Sequence, residues 1–312
     1  MSAYRGDLVD AHHHFWEPGE GRQPWLRPGA RIPFRYGDYE SIKRDYLPDD
    51  LRRDAASAGM RLVGCVTMET EWDDADPLGE IDHIESVRAR FGLPSAAIGR
   101  VQLHRSDAAA TLEAMAERSI VRGIRHKPGQ TASPSEPGRT LLSDPTWRDG
   151  YSRLAPLGLD FELQTAWWHL DEAADLVRAH PETALTINHT ALPADRSREA
   201  IDGWSAAIGR IASLDRVWMK VSGIGVPDEP WTVDANREIV LRAIDAFGPA
   251  RIMFASNFPV DSLVGTYAEI LGGFAEIVAG CSRDEQEAMF ARNAIERYRL
   301  DVALGSGGTD AA

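Results

Sequence analysis

Apolar residues along this chain fall into two alternating rhythms. Short apolar runs, many rich in β-branched residues, recur at 8–14, 61–69, 97–103, 120–126, 159–164, 184–189, 217–223 and 251–257. Each has the length of a strand. Between them the apolar positions recur at helical spacing. Ile81, Ile84, Val87 and Phe91 form one stripe, predicting a helix over 78–91; Leu112, Met115 and Ala116 form another within 107–118. Further helices are predicted over 49–59, 170–180, 198–212, 233–247, 262–278, 282–292 and 293–300. Asp144-Pro145 opens one more, with a capping residue and proline at the first helical position. Ser282 and Glu285 have the spacing of a capping box.

Eight strands, most followed by a helix, make the count of a (β/α)8 TIM barrel. The expected architecture is one α/β domain over 1–301, with a long first βα loop, C-terminal helices and a flexible polar tail at 302–312. A doubly wound open sheet would need a glycine-rich phosphate turn after an early strand, and none is present. The stretch 17–48 carries Pro18, Pro24, Pro28, Pro33 and Pro48 together with Trp25, Phe34, Tyr36, Tyr39 and Tyr46. A loop of that length in a barrel reads as a lid.

In such a barrel the chemistry sits at the C-terminal strand ends. Polar residues collect there. His12 and His14 end the first strand, with period-2 alternation placing Asp10 on their face and His13 opposite. Glu69 and Glu71 follow the second strand, Arg125 and His126 end the fourth, Glu162 and Gln164 the fifth, and His189 the sixth. Lys220 and Ser222 belong to the seventh, Ser256 and Asn257 to the eighth, with Asp261 just beyond. Paired imidazoles can hold a metal, polarise a carbonyl or move a proton. Asp261 reads either as the cap of the helix predicted after it or as a catalytic carboxylate. Arg125 reads as a clamp for a substrate carboxylate or as half of an ion pair. Lys220 offers the same two choices. Gln164, Trp16 and the loop residue Tyr46 are candidates for substrate contact. Trp167, Trp168 and His169 stand where they can line an apolar or sugar-stacking pocket or pack as core.

Composition narrows the partners. The 312 residues are 43% apolar and 26% charged, with a net charge of −14. That charge argues against a nucleic-acid or anionic-membrane surface. Cys65 and Cys281 provide no disulfide framework. The first residues contain no apolar secretory core, and no apolar run approaches the ~18 residues of a membrane span. The expectation is a cytoplasmic protein acting on a small molecule, with homo-oligomer formation compatible.

The strand-end motifs, taken in order, resemble a known family. Asp10-Ala-His-His-His-Phe-Trp16, Val121-Arg-Gly-Ile-Arg-His126, Ile187-Asn-His189, Met219-Lys-Val-Ser-Gly223, Arg251-Ile-Met-Phe-Ala-Ser-Asn-Phe-Pro-Val260 and the closing Asn293-Ala294 with Tyr298-Arg-Leu300 are similar to the amidohydrolase superfamily. The branch resembled is amidohydrolase-2, which includes 2-pyrone-4,6-dicarboxylate lactonases and sugar-lactone hydrolases. The resemblance implies a distorted barrel that hydrolyses a carbonyl-centred bond. It places the family's strand-one histidine pair on His12 and His14 and its strand-six histidine on His189. The family's strand-eight aspartate falls on Asn257 and its strand-five histidine on Gln164, so two expected ligands are replaced. His12, His14 and His189 would still supply three nitrogens for a divalent metal, zinc by donor type, with an open position; the alternative is a metal-free site. The proton acceptor would then be Asp261 or a strand-two glutamate. The expected reaction is opening of a lactone or similar carboxylic ester of a small organic or sugar acid. The imidazoles would polarise the carbonyl, while Arg125 and the long loop orient the substrate. Two alternatives accompany it: metal-dependent non-oxidative decarboxylation, and a non-catalytic binding protein on a decayed barrel.

Overall fold

Each short apolar run becomes a strand, and each strand pairs in parallel with the next. The computed structural model describes residues 3–136 and 138–305. The strands are β1 (Asp7–His13), β2 (Arg61–Met68), β3 (Ala96–Arg100), β4 (Val121–Arg125), β5 (Asp160–Leu163), β6 (Leu185–Ile187), β7 (Val217–Val221) and β8 (Ile252–Phe254), in sheet order one to eight. The main helices are α1 (Pro48–Ser57), α2 (Pro77–Phe91), α3 (Ala108–Ala116), α4 (Pro145–Ser152), α5 (Leu170–Ala179), α6 (Arg198–Ala212), α7 (Val233–Phe247) and α8 (Tyr267–Ile277). Two short ones, α9 (Arg283–Glu287) and α10 (Asn293–Tyr298), follow. The result is a (β/α)8 barrel. No described helix is long and apolar enough to cross a membrane.

Among the described residues no ladder joins β8 back to β1. A buried carboxylate closes that seam instead. Asp10 accepts from the backbone N–H and the hydroxyl of Ser256 (3.0 and 2.6 Å), from the His12 N–H (3.2 Å) and from the Tyr267 hydroxyl on α8 (3.0 Å). Past the strand ends, the Asn257 N–H donates to the His12 carbonyl and the His14 N–H to the Phe258 carbonyl, both at 2.8 Å.

This corrects the strand-one alternation. The β1–β2 register slips between Asp10 and His13. Val9 and Ala11 pack inward with Val66, Met68, Ala96, Ile98, Met253 and Ala255. Asp10 therefore faces outward to α8, while the slip returns His12 to the inner side beside His189. A bulge shifts every following side chain by one face.

At the N-terminal end the barrel is stoppered by the last helix. Tyr298 and Leu300 join the inner cluster, and Arg297 pairs with Asp160 at 2.6 Å. Val302 and Leu304 pack against the same cluster, and the Gly305 N–H donates to Asp7. The remainder of the polar tail lies outside the described residues.

The long loop lies across the C-terminal end as three short 3-10 turns around an aromatic cluster. Trp25 stacks on Phe34 (5.7 Å), and Phe34 packs on Tyr39 (4.8 Å). The Trp25 indole N–H anchors the cluster to the Thr70 carbonyl. The helix predicted from residue 262 begins later. Val260–Leu263 is a 3-10 turn, and Thr266 caps α8 in a capping box with Glu269. Asp261 is thus no helix cap.

Candidate active site

His12, His14 and His189 converge at the C-terminal end of the barrel. The His12 ring lies 4.5 Å from that of His189 and 5.4 Å from that of His14, centroid to centroid. His14 Nδ1 is 3.2 Å from the Met68 carbonyl, and His189 Nδ1 is 2.9 Å from the Ser222 hydroxyl. Each contact fixes the ring and leaves Nε2 as the nitrogen open to a ligand. His12 is fully buried, and neither of its ring nitrogens has a partner. Burial is the main force keeping all three rings neutral. It lowers His12 and His189 well below the usual histidine range and, with the Arg125 charge, brings His14 to about 3. His13 packs against Phe15 instead.

Asn257 and Asp261 follow β8 at the same end of the barrel, Asp261 fully buried in the turn Val260–Leu263. Asp261 Oδ1 accepts from the Asn257 amide (2.6 Å) and from the Tyr36 hydroxyl of the long loop (3.2 Å). Its Oδ2 is buried without a partner. Burial pushes the Asp261 carboxyl up to about 6, against the opposing pull of Arg35, Asn257 and Tyr36. Arg35 also donates to the Gly223 carbonyl at 2.5 Å. Arg35 and Tyr36 thereby tie the loop to the ends of β7 and β8.

On the opposite wall, Arg125 pairs with Glu69 at 2.6 Å and donates to the Gln164 side-chain oxygen at 3.2 Å. Burial, the largest single influence, would raise Glu69, but the Arg125, Lys127 and Arg100 charges with the Glu71 N–H together outweigh it and hold that carboxyl at about 2. Such a carboxylate is a poor proton acceptor at neutral pH. Glu71 pairs with Lys127. These groups enclose a cavity of about 240 Å³ lined by His14, Trp16, Arg35, Glu69, Arg125 and Gln164, with His189 and Asn257 at its floor.

Three sequence candidates lie elsewhere. Lys220 is fully buried and paired with Glu162 at 3.0 Å. The same glutamate takes bonds from Asn188 and the Tyr298 hydroxyl, so Lys220 belongs to the barrel interior rather than to the cavity wall. The Tyr46 hydroxyl is committed to Asp54 on α1 at 2.7 Å, because the loop returns there to bridge Trp16. His126 turns outward to the Trp147 indole. Conversely, Arg35, Tyr36 and Lys127 gave no sequence signal beyond lying in polar or aromatic loops.

The mouth is also where the backbone departs from ordinary conformations. His189, Thr190, Ala191 and Leu192 all have positive φ (52°, 49°, 59° and 58°), as do Glu71 (54°) and Asn257 (56°). A non-glycine residue there costs roughly 1–2 kcal/mol. The turn swings His189 toward His12, and Gly223 makes room for it. At Gly223 φ is +57°, and a Cβ would lie 2.5 Å from His189 Nδ1. Gly223→Ala is therefore expected to displace the His189 ring and to destabilise the fold by about 1–2 kcal/mol. Urea unfolding of the variant measures the second effect; loss of catalytic rate at unchanged folding would reveal the first.

The donor set fits a divalent ion with nitrogen preference. It comprises three neutral imidazoles, two with their Nδ1 fixed and one with two orphaned buried nitrogens. An ion would have to draw the rings inward. Among the described residues the group whose ligand atoms already lie within 4.8 Å of one another is Glu17, Glu20 and His83, at the edge of the long loop. Arg90 already pairs with Glu17 there, at 3.1 Å.

An uncharacterized protein of Sinorhizobium fredii is 34% identical over 298 residues, covering 94% of this chain and 98% of its own. An L-fucono-1,5-lactonase of Burkholderia ambifaria is 26% identical over 303 residues, covering 95% and 97%. The crystal structure of an amidohydrolase from Burkholderia multivorans with bound zinc superposes with a TM-score of 0.77 at 22% identity, over 94% of this chain and 99% of that one. The amidohydrolase family model matches residues 9–300. With the barrel, the strand-end histidines and this match over nearly its whole length, the chain belongs to the amidohydrolase family.

Proposed function

We propose that this protein hydrolyses a lactone or similar carboxylic ester, with Asp261 as the proton acceptor. The observation that carries the reading is the Asp261 carboxyl. It is buried beside Asn257, has one oxygen unpartnered, and is raised to about 6. A base with that affinity is ionised at neutral pH yet still basic enough to take a proton in the transition state.

The cycle balances with residues of this chain. The substrate carbonyl sits in the 240 Å³ cavity against His14 and His189. Asp261 takes a proton from water as its oxygen adds to the carbonyl carbon. The Arg125 guanidinium faces the developing oxyanion. The C–O bond to the ring or alcohol oxygen then breaks, and Asp261 returns the proton to that oxygen. The products are an alcohol and a carboxylic acid, which gives its proton to solvent and leaves as the carboxylate; the two are joined in one molecule when the substrate is a lactone. Asn257 holds Asp261 in place through its amide. A divalent ion, zinc by donor type, would be held by His12, His14 and His189 and would supply Lewis-acid polarisation of the carbonyl. The L-fucono-1,5-lactonase relative supports the same bond type.

The test is release of acid from a panel of lactones in a pH-indicator assay. The rate at low substrate should fall about tenfold per unit as pH drops below about 6, the value that burial gives Asp261. The sign follows from the role: protonation removes the base. A flat profile from pH 4 to 8 would remove Asp261 from the mechanism. Lack of turnover of any lactone or ester by folded protein would overturn the function.

A further inference from the structure

Beyond the catalytic cavity lies a second chamber of about 620 Å³. Arg35, Lys127 and Gln164 line both spaces, so the two adjoin across these side chains. Their walls differ in chemistry. The first is crowded with charge, carrying Glu69, Glu71, Arg125 and the histidines. The second is walled largely by Trp167, Trp168, Leu192, Pro134 and alanines.

The wall of the second chamber is held by hydrogen bonds at ring edges. The Trp168 N–H donates to the Thr131 hydroxyl at 3.0 Å, and the Thr131 N–H donates to His169 Nε2 at 3.0 Å. His169 Nδ1 in turn lies 3.0 Å from Glu172 on α5. His169 is thus a buried strut. Trp167 stands edge-to-face with Trp168, ring centroids 5.5 Å apart. Its far edge lies close over Gly203 of α6, where a Cβ would come within 2.8 Å of the ring. Two rigid indoles fixed by their edges form a surface for an apolar or aromatic group. A polyhydroxy ring would instead ask for a dense set of hydrogen-bonding side chains around it; away from the shared boundary the chamber offers Gln130, Ser133 and Asp195, and Asp195 already accepts from the Ser197 N–H.

We propose that the substrate is a lactone or ester carrying an aromatic or branched alkyl arm. Its carbonyl would occupy the small polar cavity, and its arm would lie past Gln164 on Trp167 and Trp168. This deepens the hydrolase reading and rests on it, and it separates this chain from an enzyme for bare sugar lactones. An arm that fills an apolar chamber raises kcat/KM by about ten- to a hundredfold over the same head group without it.

The experiment compares γ-butyrolactone, a polyhydroxy lactone and a γ-lactone with a benzyl arm at equal enzyme. The benzyl lactone should be preferred by at least about tenfold over both. Ala200→Leu, which narrows the chamber from α6, should shrink that preference. Trp168→Ala should abolish it, whereas Trp168→Phe should retain most of it. Binding is measured separately by calorimetry with 4-phenylbutyrate, which cannot be hydrolysed, against gluconate. Tighter binding of 4-phenylbutyrate by wild type and its loss in Ala200→Leu support the chamber even if no lactone turns over, in which case the hydrolase reading alone falls. Preference for the polyhydroxy lactone, or equal binding of the two acids, overturns the proposal.

Discussion

Lys220→Met is expected to destabilise the protein by about 3–5 kcal/mol, the cost of leaving one buried charge without its partner. Lys220 and Glu162 are both essentially inaccessible and lie 3.0 Å apart in the middle of the barrel. Burial pulls the lysine down to about 8, with Glu162 opposing, so the ammonium survives there at neutral pH because the carboxylate faces it. Methionine matches the stem but not the charge. Glu162 would keep its bonds from Asn188 and Tyr298, both at 2.5 Å, yet remain an ion in an apolar surround. The urea midpoint reads the loss. Adding Glu162→Gln to the variant should restore much of it, because the stranded charge is then gone. If Lys220→Met kept its stability and lost only turnover, Lys220 would have to reach the substrate, and its place in the interior network would be wrong.

Asp261→Asn should do the opposite: a slower but more stable protein. Loss of a general base lowers kcat/KM by about 10²–10⁴. Stability responds through linkage. Burial raises the Asp261 carboxyl from 3.8 to about 6. A carboxyl raised in the folded state contributes its stabilisation when protonated and loses it as pH rises through about 6. At pH 8 the wild type therefore carries a destabilising ionised group, worth roughly 1–3 kcal/mol, that asparagine removes. The variant should exceed wild type in urea midpoint at pH 8 by more than at pH 5. Equal midpoints at both values, with full activity, would leave Asp261 an ordinary buried residue.

Much of the barrel was legible because its elements agree with local physics. The periods of α6 and α7 give their bounds without error, 198–212 and 233–247. The start of α4 follows from Asp144 and Pro145, with Asp144 accepting from the Trp147 N–H. His12, His14 and His189 were legible as a group because strand ends in a barrel share one mouth. What escaped depended on non-local or irregular geometry. Alternation alone cannot reveal a register slip, so Asp10 is misplaced onto the histidine face. Asp261 is followed by a 3-10 turn rather than by the helix it seemed to cap, because Thr266 and Glu269 form the capping box. Lys220 and Tyr46 were polar at plausible positions, but their partners Glu162 and Asp54 are known only from the fold. Arg35 and Tyr36 lie in a loop without period, so their reach to Gly223 and Asp261 has no sequence signature.

The stopper at the foot of the barrel sets the order in which the chain can finish folding. Asp160 and Glu162, on β5, find Arg297, Tyr298 and Arg299 some 136–139 residues later. During vectorial synthesis, β5 leaves the ribosome long before those three residues have been added. Until residues 297–299 emerge, the nascent barrel holds Asp160 without its arginines and Glu162 without its tyrosine. Its interior acids are therefore the last of the barrel to be covered, and a ribosome stalled shortly before codon 297 would display a protein whose interior acids still lack these partners.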